Sequence, residues 1–241
     1  MLVLGIDLSS DIGNVSLVQG QTVLGSVSVR MRHRPLLNCI QLIHDLFRLT
    51  DCKIDDLDLL SGVVGPGSWT GLRVTAVTLN TLSFTLQVPV VPVNLFDALA
   101  EDTICRDMDV FAVVQATRTH AHVAQISKNG MRIATYADIE YTTFAEITNI
   151  VGESADIIVS ASDDAIDKLR VFCGDKIRLT TVEHLPPASI GAACVASGLY
   201  LAHPAKWSES FIRPEYLGSP VKGRAFEIKR GIGGKALENE K

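Results

Sequence analysis

Three short apolar runs open the chain, at residues 2–8, 14–18 and 22–29, with turn-forming residues at 11–13 and 20–21 between them. They predict three strands joined as two hairpins, and so an antiparallel start. From residue 35 the period changes from strand-like to helical. Residues 35–49 read as a helix, 54–57 as its exit loop, 59–64 as a strand, 70–86 as a long helix, 88–93 as a strand and 95–101 as a further helix. A strand, a helix and a second strand in that order predict a parallel crossover in a layered α/β unit.

The second half repeats the order of elements without repeating the sequence. Residues 110–115, 120–127 and 132–139 predict three strands. A helix at 143–150, a strand at 156–159, a helix at 163–171, a strand at 176–179 and a helix at 189–200 follow. The expectation is an α/β protein of two lobes with similar topology, mixed sheets flanked by helices. The boundaries expected are 1–103, 104–218 and a flexible basic tail at 219–241. Residues 219–241 carry six Lys/Arg against three Glu, a local charge of +3 in a chain of net charge −5. An acidic chain has no general attraction for nucleic acid, and the tail is either solvated or a contact for RNA or a partner.

The helical segments carry more apolar surface than one sheet requires. On 35–49, Leu36, Ile40, Ile43 and Phe47 form one stripe, and Cys39, Leu42, Leu46 and Leu49 a second. On 70–86, Leu72, Ala76, Leu79 and Leu86 form a core stripe, while Val74, Val77, Thr81 and Phe84 recur at heptad spacing. Either the two helices pack on each other inside one lobe, or Cys39, Leu42, Leu46, Val74, Val77, Thr81 and Phe84 meet helices of another polypeptide.

Between the strand at 59–64 and the next helix lies Gly65-Pro66-Gly67-Ser68-Trp69-Thr70-Gly71-Leu72-Arg73. Glycines there permit backbone angles and close approaches that a Cβ forbids, and Ser68 and Thr70 can cap the helix. A capped helix start with free N–H groups is also a seat for an anion. Gly65, Gly67, Ser68, Thr70, Gly71 and Arg73 are therefore candidate phosphate contacts, the alternative being a tight turn with a capped helix. The spacing is neither that of a Walker loop nor Gly-x-Gly-x-x-Gly, and it is no nucleophile elbow. Asp7, followed by Ser9 and Ser10 at the first hairpin, could hold a metal–phosphate group through hard oxygen ligands; the alternative is an Asp turn closing on its own backbone.

No catalytic set is legible from spacing. His120 and His122 share one strand face without a third ligand, and no metal site or Ser/His/Asp arrangement is placed. The five cysteines are scattered without a Cys-x-x-Cys pair, which fits reduced thiols in a cytoplasmic protein. Asp7 interrupts the first apolar run, so no secretory leader is expected. The uncharged stretch 74–96 contains Pro89, Pro92 and several hydroxyl or amide side chains, which argues against a membrane span.

Gly5-Ile6-Asp7-Leu8-Ser9-Ser10, the Arg32-His33 approach to Leu36-Leu37, the whole loop from Gly65 to Arg73, and Pro214-Glu215-Tyr216-Leu217 resemble the TsaB (YeaZ) family of tRNA threonylcarbamoyladenosine biosynthesis proteins. That resemblance is strong over residues 1 to about 100, weak over 110–185, and returns near the end. It implies a two-lobed actin-like, Hsp70-like (ASKHA) fold and a non-catalytic subunit that pairs with, and activates, a TsaD-like enzyme, the alternative being a weakly ATP-binding, kinase-like ATPase of the same fold. It further implies a TsaE-like ATPase in the same assembly, a homodimer as an alternative pairing, contact with tRNA only through the complex, and no intrinsic cofactor beyond weak ATP or ADP with magnesium at a shared interface. The sequence departs from the family's pattern in three places. Gln115-Ala116-Thr117-Arg118 stands where the family has Asp-Ala-Arg, Gly218 where it has an arginine, and Leu8 with Ser9-Ser10 where it has threonines.

Overall fold

The computed structural model describes residues 1–31, 35–101, 110–116, 120–127, 132–140, 150–151, 156–161, 163–173, 178–181, 185–207 and 211–216. The expected helix at 143–150, apart from residue 150, and the tail at 219–241 lie outside the described residues. So do Arg32, His33, Thr117, Arg118, Leu217 and Gly218.

The first sheet holds β1 (Leu2–Asp7), β2 (Ile12–Gln19), β3 (Thr22–Arg30), β4 (Leu59–Gly65) and β5 (Val90–Asn94), in the order β3-β2-β1-β4-β5. The hairpin strands pair antiparallel, while β1–β4 and β4–β5 are parallel. The second sheet holds β6 (Val110–Gln115), β7 (His120–Ile126), β8 (Arg132–Glu140), β9 (Asp156–Ser160) and β10 (Arg178–Thr181). Its order, β10-β9-β6-β7-β8, is the same topology read from the other edge. The helices are α1 (Pro35–Thr50), α2 (Trp69–Leu86), α3 (Leu95–Glu101), α4 (Asp163–Cys173), α5 (Ala188–Ala202) and the short α6 (Pro204–Trp207). A 3-10 turn, Ile54–Asp56, stands where an exit loop was expected.

Side chains that alternate along a strand serve opposite faces of the first sheet. Leu2, Leu4 and Ile6 of β1, with Leu60 and Val64 of β4, pack under α1 and α2 beside Cys39, Leu42, Ile43, Leu46, Ala76 and Leu79. Val3, Leu59 and Val63 face the other way, toward α3 and α5. Both faces are covered, which is why every residue of β1 and β4 is buried.

The helix α5 reaches this sheet late in the chain, and small residues let it come close. A Cβ on Gly5 would collide with the Ser189 carbonyl, and one on Gly191 with the Ala98 carbonyl of α3. Polar groups in the seam are matched: Ser189 N–H donates to Asn14 Oδ1 (3.0 Å), the Ser16 and Ser189 hydroxyls share a 2.6 Å hydrogen bond, and Ser61 Oγ donates to the Ala192 carbonyl (2.9 Å). Dividing the molecule by chain order at residue 103 puts α5 in the second lobe, whereas its packing puts it on the first sheet. The cause is the apolar and small-residue face of β1, β2 and β4, which α5 covers together with α3. The segment 211–216 returns to the opposite face of the first sheet: Ile212 is buried in the core under α1 and α2, and its backbone N–H and C=O both bond the Asn80 side chain of α2.

Replacing Gly5 with alanine should lower unfolding free energy by about 1–3 kcal/mol, because the added methyl meets backbone rather than a movable side-chain tip. Urea denaturation of G5A against the parent chain measures it.

Candidate functional site

Asp7 ends β1 opposite Asn14, and its carboxylate turns back on its own chain. Ser9 N–H donates to Asp7 Oδ1 at 2.8 Å, the closed Asp turn that was the alternative to a metal ligand. Ser10 closes the next turn, its hydroxyl donating to the Ile12 carbonyl (3.0 Å) and accepting from Ile12 N–H (3.2 Å). Asp7 is 3% exposed. Burial pushes its carboxyl above the ordinary carboxylate range, and interactions with Ser9 and Asn14 pull only partly the other way.

The loop from Gly65 to Arg73 lies against this turn. Ser68 N–H donates to the Ser9 carbonyl at 2.7 Å, and Ser68 Oγ caps α2 by accepting from Gly71 N–H at 3.3 Å. Gly67, at φ +154°, has no room for a Cβ because the Ser9 backbone fills that space; at Gly71 the Leu8 carbonyl does the same. Gly65, at φ +150°, faces the Glu215 carbonyl, and Glu215 N–H donates to the Val64 carbonyl at 2.7 Å. The backbone of the same chain thus packs directly against Gly65, Gly67 and Gly71. Thr70 is solvent-exposed on the first turn of α2. Arg73 lies 4.0 Å above the Trp69 ring and donates from Nε to the Tyr216 hydroxyl (3.3 Å), while Trp69 and Tyr216 stack with centroids 4.2 Å apart. This aromatic clamp, together with Asn80 and Ile212, was not read from the sequence. The sequence signal for it was the pair of motifs carrying Trp69 and Tyr216, far apart in the chain.

A cleft of about 190 Å³ opens beside Asp7, bounded by Ser10, Asn14 and Ser28 of the first sheet, Leu95 and Leu99 of α3, and Ser160 at the end of β9. A magnesium–phosphate group held by Asp7, Ser9 and Ser10 was the expectation for this turn. The described residues do not fit that group. Burial raises the Asp7 carboxyl above the ordinary carboxylate range, the loop N–H of Ser68 is spent on Ser9, and β6 ends in the uncharged Gln115. No cluster of three His, Cys, Asp or Glu suited to a metal occurs among the described residues. His122 is buried and His120 half-buried on β7.

The proposed interface residues divide. Cys39, Leu42 and Leu46 of α1 are buried in the protein's own core, so they are corrected from interface to core. The cause is that α1 lies across β2 and β3 and spends this stripe on them; Leu46 reaches over Gly25 of β3. Burial of the Cys39 thiol pushes its pKa up to about 11. On α2, Val77 is 61% exposed and Phe84 73% exposed, Thr81 is exposed as well, and Val74 is half-buried at the edge of this stripe. Ile40 and Leu49 of α1 are exposed as well.

The sequence pattern of the family described as TsaD, tRNA N6-adenosine threonylcarbamoyltransferase, matches residues 31–218. The tRNA threonylcarbamoyladenosine biosynthesis protein TsaB of Bacillus subtilis (strain 168) is 28% identical over 134 residues, 54% of this chain. The chain spans 58% of the length of the curated TsaB relatives it matches, from Bacillus subtilis and from Buchnera aphidicola. Among solved structures, YeaZ from Pseudomonas aeruginosa superposes with TM-score 0.67 at 18% identity, over 90% of this chain and 99% of that one. The activator of 2-hydroxyisocaproyl-CoA dehydratase from Clostridium difficile, with bound ADPNP, superposes at 0.54 and 8% identity, over 86% and 98%. The fold is the two-lobed actin-like one. No helix among the described residues is long and apolar enough to cross a membrane.

Because the folded pKa of Asp7 lies above the usual 3.8, its favourable contribution is complete below that value and is lost as pH rises toward the raised one. Asp7→Asn keeps an acceptor for Ser9 N–H and removes this loss. Its melting temperature should fall less than the parent's between pH 4 and neutrality, as differential scanning calorimetry across that range would measure.

Proposed function

Since this chain belongs to the TsaD family, tRNA N6-adenosine threonylcarbamoyltransferase, and within it to the TsaB (YeaZ) group, we propose that it is a non-catalytic partner subunit in the formation of threonylcarbamoyladenosine in tRNA. It docks a TsaD-like catalytic subunit through α2 and activates it there. The observation that carries this reading is the stripe of Val77, Thr81 and Phe84 on α2, exposed on a helix whose other side is already committed to the first sheet. Isolated exposed apolar residues need no explanation, but large ones repeated at heptad spacing on one ordered helix suit a helix–helix contact. Burying Val77 and Phe84 in such a contact would contribute on the order of 1.5–3 kcal/mol each.

In this reading the chemistry belongs to the partner, a TsaE-like ATPase joins the same assembly, and tRNA is met only through the complex. An intrinsic nucleotide cofactor has no part in it. The clamp of Trp69, Arg73 and Tyr216 fixes the first turn of α2, and Asn80 with Ile212 fixes its middle, so the docking helix is presented as a rigid ridge.

Val77→Asp should weaken the complex with a TsaD-like subunit by about tenfold or more, since each 1.4 kcal/mol is a factor of ten. Its melting temperature should stay near the parent's, because the side chain stands mostly in solvent. Gel filtration of the mixed subunits, with circular dichroism of the variant alone, measures both. Assembly unaltered in V77D and in Phe84→Asp would refute the docking face. Self-association lost in the same variants, with no heterocomplex in the parent, would make the partner a second copy.

A further inference from the structure

Asp97 and Arg132 meet where the two sheets come together. Asp97 sits in α3, a helix of seven residues, and Arg132 is the first residue of β8, the outer strand of the second sheet. Arg132 Nε lies 3.0 Å from Asp97 Oδ1 and a terminal guanidinium nitrogen 3.2 Å from Oδ2, so both arms of the fork are engaged. Their side chains are only 13% and 21% exposed. A pair this enclosed is little screened by solvent, and removing one member strands a partly buried charge.

The other attachments of α3 run to both sheets, and those to the first are the closer. Its Ala98 carbonyl abuts Gly191 of α5, and α5 is seated on the first sheet through Gly5, Ser16 and Ser61. Between these anchors α3 contributes Leu95 and Leu99 to the wall of the cleft, with Ser160 of the second sheet across from them. The apolar cluster that joins α3 to β6, β7 and β9 is held by non-directional burial. The ion pair is directional and sits at its rim.

We propose that the Asp97–Arg132 pair is an inter-lobe latch: it ties the edge of the second sheet to α3 and thereby sets the opening of the cleft beside Asp7. When the pair is broken the lobes turn about the α3–α5 seam and the cleft widens. A fixed lobe angle needs no bound nucleotide in this protein, because side chains of the chain itself supply it. The latch is independent of how α2 docks.

The test compares the parent chain with Asp97→Asn, Arg132→Met and the double variant, by amide hydrogen exchange and small-angle X-ray scattering. Each single variant should speed exchange in Leu95–Glu101 and Arg132–Glu140 by roughly tenfold, leave β1 and β4 as protected as before, and enlarge the radius of gyration. The double variant should match the singles, because it also lacks the fork, while restoring any global stability lost to a stranded charge. Faster exchange spread evenly over the chain would make the pair a contributor to global stability, and overturn the latch. Local loosening with unchanged scattering would make it a staple of α3 alone, and overturn it equally, as would no change in either measurement.

Discussion

The approach of α5 to the first sheet is the constraint on which the rest of the structure depends. Gly5 and Gly191 carry no Cβ where Ser189 and Ala98 present carbonyls, and Asn14, Ser16 and Ser61 satisfy the polar groups that such closeness buries. With that face sealed, the first sheet is apolar on both sides, and its even-numbered β1 positions are left for α1 and α2. It also places α3 between the lobes, so the cleft, the seam and the ion pair at its rim follow from one close contact. An added methyl at Gly5 would disturb all of them, since it acts on backbone that cannot move aside.

Local order was legible in the sequence because it rests on local physics. The hairpins, the parallel crossover through α2 and the Ser68 cap follow from periodicity and turn chemistry, and the matching order of the two sheets follows from the repeated element pattern. The destination of α5 was not legible. Its composition, with small residues all around, fits burial anywhere, and nothing near it in sequence names Gly5 as its partner. The two stripes of α1 were ambiguous for a related reason. Both are apolar, and only the position of α1 across β2 and β3 decides that Cys39, Leu42 and Leu46 face inward while Ile40 and Leu49 face out.

The candidate site shows how one loop sequence serves two chemistries. Glycines at a strand-to-helix turn grant close approach without saying what approaches. In a nucleotide site it is a phosphate; here it is the backbone of Leu8, Ser9 and Glu215. Turn and cap could be read from residue types, but the occupant of the space depended on a segment near residue 215, which no local pattern connects to residue 65. The aromatic clamp of Trp69 and Tyr216 belongs to the same long-range class.

An acid that burial holds toward neutrality, a capped helix start closed by its own chain and a fork of opposite charges across the lobes share one consequence. In each, groups of the polypeptide are enclosed by or paired with other parts of the same chain. A site prepared for an anion leaves N–H donors unpaired until the anion arrives, at a cost to the empty protein. Pairing the Ser68 and Gly71 N–H groups internally removes that cost. Val77 and Phe84 stand outermost on α2, which is held at its first turn by Trp69, Arg73 and Tyr216 and at its middle by Asn80, and the docking proposed for this helix rests on that exposed surface.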